Sequence, residues 1–584
     1  MKVRRRLTDA DTLRADRLRG ERGTVRKRWH GRRAVALVYP NSYAVGMGNL
    51  GFQAVYGLLN ALDDVVCERV FTPDPPAPPP WPVPRSLESG RPLTDFDLLA
   101  FSIAFENDYP SVLALLAAAG LPLAAEARTE AHPLVIAGGV ACWINPEPLA
   151  DVVDAFLIGE AEVLLPPFWT AYDAGGTRTE LLRRLAREVA GVYVPRFYRP
   201  EYRSDGTLSG YRLLADVPRR VTRVHLANLA AAPAVTRVHF TGNTPFSADH
   251  LVEVSRGCPH GCRFCAAGYL YRPPRFHRLE TLSASLDAAP PGTRRIGLVG
   301  AAVSDLPDLE ALCRRAQARR LALGFSSFRA DAISDDLLAA LAHSRIKTAT
   351  IAPETGSQRL RDAINKHLDE SAVLTAVERL VSAGIPNLKL YFMIGLPEET
   401  EADVAAIITL VQRVKARFLA TSRSRGRLGT ISVSLNPFVP KPFTPLQWAA
   451  MASPAQLKAK IRSLREVLGP VANVRLSAGK ARLVVSQALL ARGDRRIGAL
   501  LCRRWQHGDP GWAAAADATV LLGPRRQDSP LPWEVIDHGI DHDYLREEYR
   551  RYHRAVLSPP CPPSGCVRCG VCGGQGARAY LKGE

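Results

Sequence analysis

A chain of 584 residues with 47% hydrophobic and 23% charged side chains has the composition of a folded globular protein, and its length calls for two or three domains, since one domain usually takes about 100–200 residues. No apolar run reaches the roughly 20 residues that cross a bilayer, which excludes a helical membrane protein. The net charge of +19 admits an acidic partner such as nucleic acid.

Residues 1–33 form a basic arm with thirteen Lys/Arg against four Asp/Glu, the natural place for nucleic-acid contact. Basic residues, mostly Arg, are also spread through the rest of the chain, so part of the charge is compositional bias. The opening Met1-Lys2-Val3-Arg4-Arg5-Arg6 leads into Asp and more Arg instead of an apolar segment, so no secretory signal is expected and the cytoplasm is the expected compartment.

Residues 34–40 read as a buried parallel strand, 50–62 as a helix, and the Pro-rich 72–84 as a surface connector. Apolar runs at 96–102, 133–137 and 155–158, with a helix at 110–119, continue a strand–helix alternation. Residues 34–195 are therefore expected to be a doubly wound α/β domain. Its ligand should lie at the carboxyl ends of the strands, which carry Ser102, Gly138-Gly139 and Gly159-Glu160.

Residues 196–245 read as a strand-rich linker. A second alternation then places strands at 251–255, 295–299, 322–326, 348–352, 388–394 and 431–435, six in all, as in an open or partial (β/α)6 TIM-type barrel over 246–445. Residues 446–560 look helical and charged, notably 454–468, and 561–584 form a tail rich in Gly and Cys.

Seven of the eleven cysteines fall into two tight groups, which in a large chain without a secretory signal reads as metal ligation rather than disulfides. Cys258, Cys262 and Cys265 follow the first barrel strand directly. Three thiolates on a cubane leave one iron open, whereas a structural zinc wants four ligands. His260 could be the fourth ligand of a zinc, but it sits between two closely spaced cysteines, where chelation of the same ion would be strained.

The Cys-x3-Cys-x2-Cys pattern in that setting resembles the radical S-adenosylmethionine (SAM) superfamily, and the likeness runs from about residue 251 to 445. It implies a [4Fe–4S] cluster whose open iron binds the amino and carboxylate groups of SAM, reductive cleavage of SAM to a 5′-deoxyadenosyl radical, hydrogen abstraction from substrate, and an electron donor such as flavodoxin or ferredoxin. Phe264 would lie near the adenine, as would Ile394-Gly395 of the Gly-Leu-Pro-Glu turn. Gly300-Ala301-Ala302 stands where the family often has Gly-Gly-Glu, so one acidic contact is missing. Ser326, Arg329 and Glu354 are candidates for the carboxylate, amino group or ribose of SAM. For each the plain alternative is a polar residue capping a loop.

The N-terminal domain resembles the cobalamin-binding-like domain that precedes many radical enzymes, on the glycines at 138, 139 and 159 and on Glu160. The Asp-x-His-x-x-Gly motif is absent, Pro40-Asn41-Ser42-Tyr43 standing in its place, so cobalt ligation by that His is ruled out. Cobalamin binding without a protein ligand to cobalt stays open, as does an empty relic. If cobalamin binds, a methyltransferase is implied.

Methylthiotransferases carry a further cluster on three N-terminal cysteines, whereas that region here has only Cys67 and Cys142. In the tail, Cys561, Cys566, Cys569 and Cys572 suit a second cluster or a zinc. The whole order of domains is similar to an uncharacterised radical SAM family with a C-terminal Cys motif. The expected function is a radical SAM enzyme, with cobalamin-dependent methyl transfer open. The alternatives are a nucleic-acid-binding iron–sulfur protein with little or no catalysis and a methylthiotransferase-like RNA-modifying enzyme.

Overall fold

The apolar run after the basic segment forms β1 (Arg33–Tyr39), buried at every residue past Arg33. A strand without a solvent face must be central. It lies between β2 (Val65–Phe71) and β3 (Leu98–Ser102), and the sheet continues through β4 (Leu134–Gly138) and β5 (Ala155–Leu157), all parallel, with β6 (Val192–Tyr193) closing the edge antiparallel. The order β2-β1-β3-β4-β5 reverses between β1 and β3, the switch point at which doubly wound sheets open a ligand crevice. The computed structural model describes residues 9–74, 80–240, 250–325, 328–424, 426, 428–507, 513, 521–562 and 565–572.

Strand β2 is not among the elements expected from the sequence, because Glu68 and Arg69 interrupt its apolar run. Both are buried and paired: Arg69 Nε donates to Glu88 Oε1 at 2.7 Å and Nη2 to Glu21 Oε2 at 2.7 Å, and Trp29 Nε1 donates to Glu68 Oε1 at 2.9 Å. The expected basic arm is thus folded onto the sheet over residues 9–33. Glu21 sits under Arg69, Lys27 Nζ donates to Val65 O at 2.9 Å, and Arg17 of the helix Asp9–Arg19 pairs with Asp74. The helix Leu50–Ala61 is capped by Asn49, whose side chain accepts from Phe52 N at 2.9 Å, a contact worth about 1 kcal/mol.

A hairpin of Tyr198–Tyr202 with Leu208–Leu213 follows, and Val221–Thr222 pairs in parallel with Ile536–Asp537 near the other end of the chain. The second parallel array contains β7 (His250–Glu253), β8 (Arg295–Val299), β9 (Ala322–Gly324), β10 (Thr348–Glu354), β11 (Asn387–Ile394) and β12 (Ile431–Pro437). These are the six expected strands. A seventh, β13 (Val474–Ala478), pairs in parallel with β12 inside the mainly helical region 446–560, where no strand was expected. Its pattern of one buried residue in two is weak in sequence and becomes a strand through its partner.

The array runs β7-β8-β9 and β10-β11-β12-β13, joined by a parallel bridge between Phe328 and Ile351, as in an open, partial (β/α) barrel. Helices fill the crossovers, among them Leu309–Ala318, Glu370–Ser382, Glu401–Ser424 and Pro454–Leu468. Because every strand is parallel, their carboxyl ends share one rim. Among the described residues no helix is long and apolar enough to cross a membrane.

Candidate functional site

Ser255–Arg256 pairs antiparallel with Arg275–Phe276, pinching the base of the loop that carries Cys258, Cys262 and Cys265. The three thiols lie close enough to feel one another. Burial, helped by Cys262 and Cys265, pushes Cys258 up to about 12. Burial also pushes Cys262 up to about 11, with Lys366 and Arg329 pulling it down and Cys265 and Glu354 pushing it up. Cys265 is raised by burial and eased by hydrogen bonds from the backbone at Ala267 and Gly268.

Arg329, in the segment beyond β9, and Glu354, at the end of β10, thus lie near Cys262. Glu354 closes β10 with φ 69°, a left-handed conformation that costs a non-glycine residue about 1–3 kcal/mol and is usually kept where a site needs it. Its carboxylate accepts from Lys366 Nζ at 2.9 Å, and Arg329 pairs with Asp331 at 2.7 Å. Lys366 was not among the candidates from sequence, because it lies twelve residues beyond Glu354 in a loop with no motif. Ser326 lies outside the described residues.

Phe264 packs against a small apolar cluster that includes Met393 and Leu396, the neighbours of Ile394 and Gly395. The Gly395 N–H donates to Glu399 Oε2 at 2.8 Å, so that turn is held from within. His260 is engaged by Asp305, with Nε2 2.6 Å from Asp305 Oδ1. Among the described residues no three His, Cys, Asp or Glu side chains converge as ligands of a single ion. Three thiolates that each take a different iron of a cubane need not converge.

The N-terminal sheet meets this rim. A cavity of about 570 Å³ is lined on one side by Ser102, Gly138, Gly139, Gly159 and Glu160 and on the other by Arg256, Gly257, Gly300 and Ala301. Gly139 has φ 100°, and a Cβ there would lie 2.5 Å from Ile103 O; at Gly159, with φ 147°, it would lie 2.3 Å from Val224 O. At both positions the close approach of neighbouring backbone therefore requires glycine. Trp143 and Tyr271 also face the cavity, and among the described residues that line it there is no histidine.

Glu160 acts as a clamp between the two halves. It accepts from Arg275 Nη2 at 2.5 Å, Arg256 Nη1 at 2.7 Å and Leu226 N at 2.9 Å. Burial alone would raise its pKa, but these partners hold it down at about 2. Arg256 also binds Glu162 at 2.7 Å and Glu253 at 2.9 Å. Cys67 and Cys142 are core residues of β2 and of the short helix after β4, both buried.

The tail lies on the far side of the same loop. Arg263 is wholly buried and donates to Glu548 Oε2 at 3.0 Å, Ala363 O at 2.6 Å, Val556 O at 2.7 Å and Ser558 Oγ at 3.0 Å. Cys561, Cys566, Cys569 and Cys572 are near enough for the ionisation of Cys561 to feel the other three.

Residues 51–195 match the model for "Radical SAM proteins, N-terminal", and residues 252–411 match that for the "Radical SAM superfamily". Among curated proteins, the chain is 26% identical over 468 residues to the uncharacterized protein MJ0966 of Methanocaldococcus jannaschii, covering 79% of this chain and 89% of that one. It is 26% identical over 162 residues to the tRNA-2-methylthio-N(6)-dimethylallyladenosine synthase of Mycobacterium bovis, covering 27% of this chain and 31% of that enzyme. Among solved structures, the radical S-adenosylmethionine methyltransferase TsrM of Kitasatospora setae superposes with a TM-score of 0.46 at 13% identity, over 90% of this chain and 97% of that one. The cobalamin-dependent S-adenosylmethionine radical enzyme OxsB superposes with a TM-score of 0.41 at 14% identity, over 65% and 52%.

Proposed function

We propose that this chain, which belongs to the radical SAM superfamily, binds a [4Fe–4S] cluster through Cys258, Cys262 and Cys265 with SAM at the open iron, and holds a cobalamin in the adjoining cavity for methyl transfer to a substrate. The donor set fits the cluster: three thiols on one loop, backbone N–H groups directed at Cys265, and two cations beside Cys262. When bound, cluster and SAM supply one-electron reductive chemistry that leads to hydrogen abstraction from the substrate.

The protein's own task is to orient and shield. Lys366 and Arg329 offer positive charge and Glu354 negative charge beside Cys262, which suits a zwitterion such as the methionine end of SAM. Phe264, with Met393 and Leu396, offers an apolar face for a flat base. Gly300 and Ala301 carry no acidic side chain, so contacts from that strand end would come from the backbone. An external one-electron donor, such as a flavodoxin or ferredoxin, completes this reading.

The single observation behind the cobalamin part is the cavity that joins both sets of strand ends. At about 570 Å³ it falls within the usual range of small-molecule and cofactor sites, and glycines in its lining let backbone approach a flat ligand closely. Ser102, Gly138, Gly139, Gly159 and Glu160 on one side and Arg256, Gly257, Gly300 and Ala301 on the other would hold a cobalamin there. When bound, cobalamin would supply a methyl carrier.

An RNA-contacting reading draws on the +19 charge, but Arg17, Glu21 and Lys27 of the basic segment are engaged within the fold. A methylthiotransferase-like reading lacks its third N-terminal cysteine, and Cys67 and Cys142 are committed to the core. The test is anaerobic reconstitution with iron and sulfide, followed by dithionite and SAM. Formation of 5′-deoxyadenosine by the wild type and its loss in Cys262→Ala are expected; no cleavage by a loaded, reduced protein overturns the enzyme reading. Cobalt far below one per chain after loading with cobalamin, as judged against one site in one cavity, removes the methyl-transfer part.

A further inference from the structure

Arg272 is 5% exposed and has no carboxylate within ion-pair distance among the described residues. Its Nε donates to Gly268 O at 2.7 Å and its Nη2 to Tyr544 Oη at 3.2 Å, while its guanidinium lies over the rings of Tyr269 and Tyr544 at 4.6 and 5.1 Å. Hydrogen bonds and aromatic faces ease a buried cation but do not neutralise it, and an uncompensated charge in the interior is costly. The same guanidinium borders a small void whose other walls include Cys561, Cys566 and Cys569 of the tail and Pro259 and Gly261 of the first cysteine loop.

The tail is fastened to that loop by backbone contacts. Cys561 N donates to Pro259 O at 2.8 Å. Asn365 bridges the two segments, donating from Nδ2 to Gly261 O at 3.1 Å and accepting from Ser558 N at 2.8 Å. On the opposite side of the tail, Asp541 N donates to Cys569 O at 2.9 Å, and Arg568 donates to Pro560 O at 2.7 Å. Four thiols, a buried cation and the peptide between Cys258 and Cys262 therefore form one packed unit.

We propose that Cys561, Cys566, Cys569 and Cys572 hold a second iron–sulfur cluster, whose negative thiolate shell balances Arg272 and whose polypeptide is clamped to the loop of the first. Four thiolates can ligate either a cluster or a zinc, and the metal count below separates the two. The inference takes only the position of the first cluster from the function proposed above.

Full-length protein would be reconstituted anaerobically, with iron, sulfide and zinc counted, alongside a Cys566→Ser/Cys569→Ser variant and a Cys258→Ala/Cys262→Ala/Cys265→Ala variant. The expected result is about eight irons in the wild type and about four in each variant, since a cubane holds four. Reduced wild type should also show electron paramagnetic resonance signals broadened by spin coupling between neighbouring centres, absent from both variants. Wild-type iron content in the tail variant, or about one zinc per chain at the tail in place of iron, overturns the proposal. Wild-type iron content in the loop variant would instead count against the first cluster and leave the tail centre standing.

Arg272→Gln keeps all seven thiols and guards against misfolding of the cysteine variants. It should retain the iron and move the midpoint potential of one centre to a more negative value. An unchanged potential overturns the charge-balancing role.

Discussion

Arg256, two residues ahead of Cys258, donates from Nη1 to Glu160 Oε2 at 2.7 Å, so the residue that opens the cysteine loop is held by the end of the N-terminal sheet. Glu160 also binds Arg275, whose strand closes the base of that loop. Glu160 therefore joins the N-terminal sheet to both strands at the base of the cysteine loop, beside the cavity.

That carboxylate gives stability a pH signature. Its pKa falls from 4.5 to about 2, because Arg275 and Arg256 outweigh the effect of burial. A depressed carboxylate contributes its stability above the ordinary value and loses it as pH falls through the folded one. Glu160→Gln should cost about 3 kcal/mol at neutral pH, and the gap to wild type should shrink between about pH 4.5 and pH 2. Denaturant midpoints measured across that window check it. A constant gap would mean the pairs are not what the variant removed.

Arg263→Met removes the buried partner of Glu548, leaving a carboxylate that is 5% exposed. Breaking one side of such a pair costs about 3–5 kcal/mol. Urea unfolding should show that loss, and limited proteolysis should release the chain beyond residue 556, where Arg263 holds Val556 and Ser558. An unchanged cleavage pattern counts against the clamp.

Lys366→Met takes the cation from Glu354 and from the neighbourhood of Cys262. Loss of one charge-assisted contact should weaken SAM binding about tenfold or more while the iron content holds. Calorimetric titration of reconstituted protein tests this, and an unaltered affinity would move the methionine end of SAM elsewhere on the rim.

Ser102→Trp places an indole at the carboxyl end of β3, inside the cavity wall. Cobalt retained after loading with cobalamin should fall to a small fraction of wild type, while SAM cleavage persists. Parallel loss of both activities would point to a folding defect, which the unfolding temperature separates.

The two strand–helix alternations, the six expected barrel strands and the Cys258/Cys262/Cys265 loop were legible in sequence because each rests on local information, an apolar run or a tight spacing. Strand β2 was hidden because the partners that satisfy Glu68 and Arg69, Trp29 for the first and Glu21 and Glu88 for the second, are remote in sequence. Strand β13 was hidden because only its register with β12 makes it a strand. Lys366 and Arg272 carry no motif, and each becomes notable only for what lies beside it.

By itself, then, the sequence determined the chemistry of the chain: which thiols are grouped, where glycine keeps backbone bare, and which sheets can form. The tertiary structure decided what those groups face. It brought Gly138, Gly159 and Gly300 around one cavity, and it set Cys561 against Pro259 across some three hundred residues of chain. Hydrogen bonds and buried charges between remote segments are chosen by packing, which no short pattern of residues encodes.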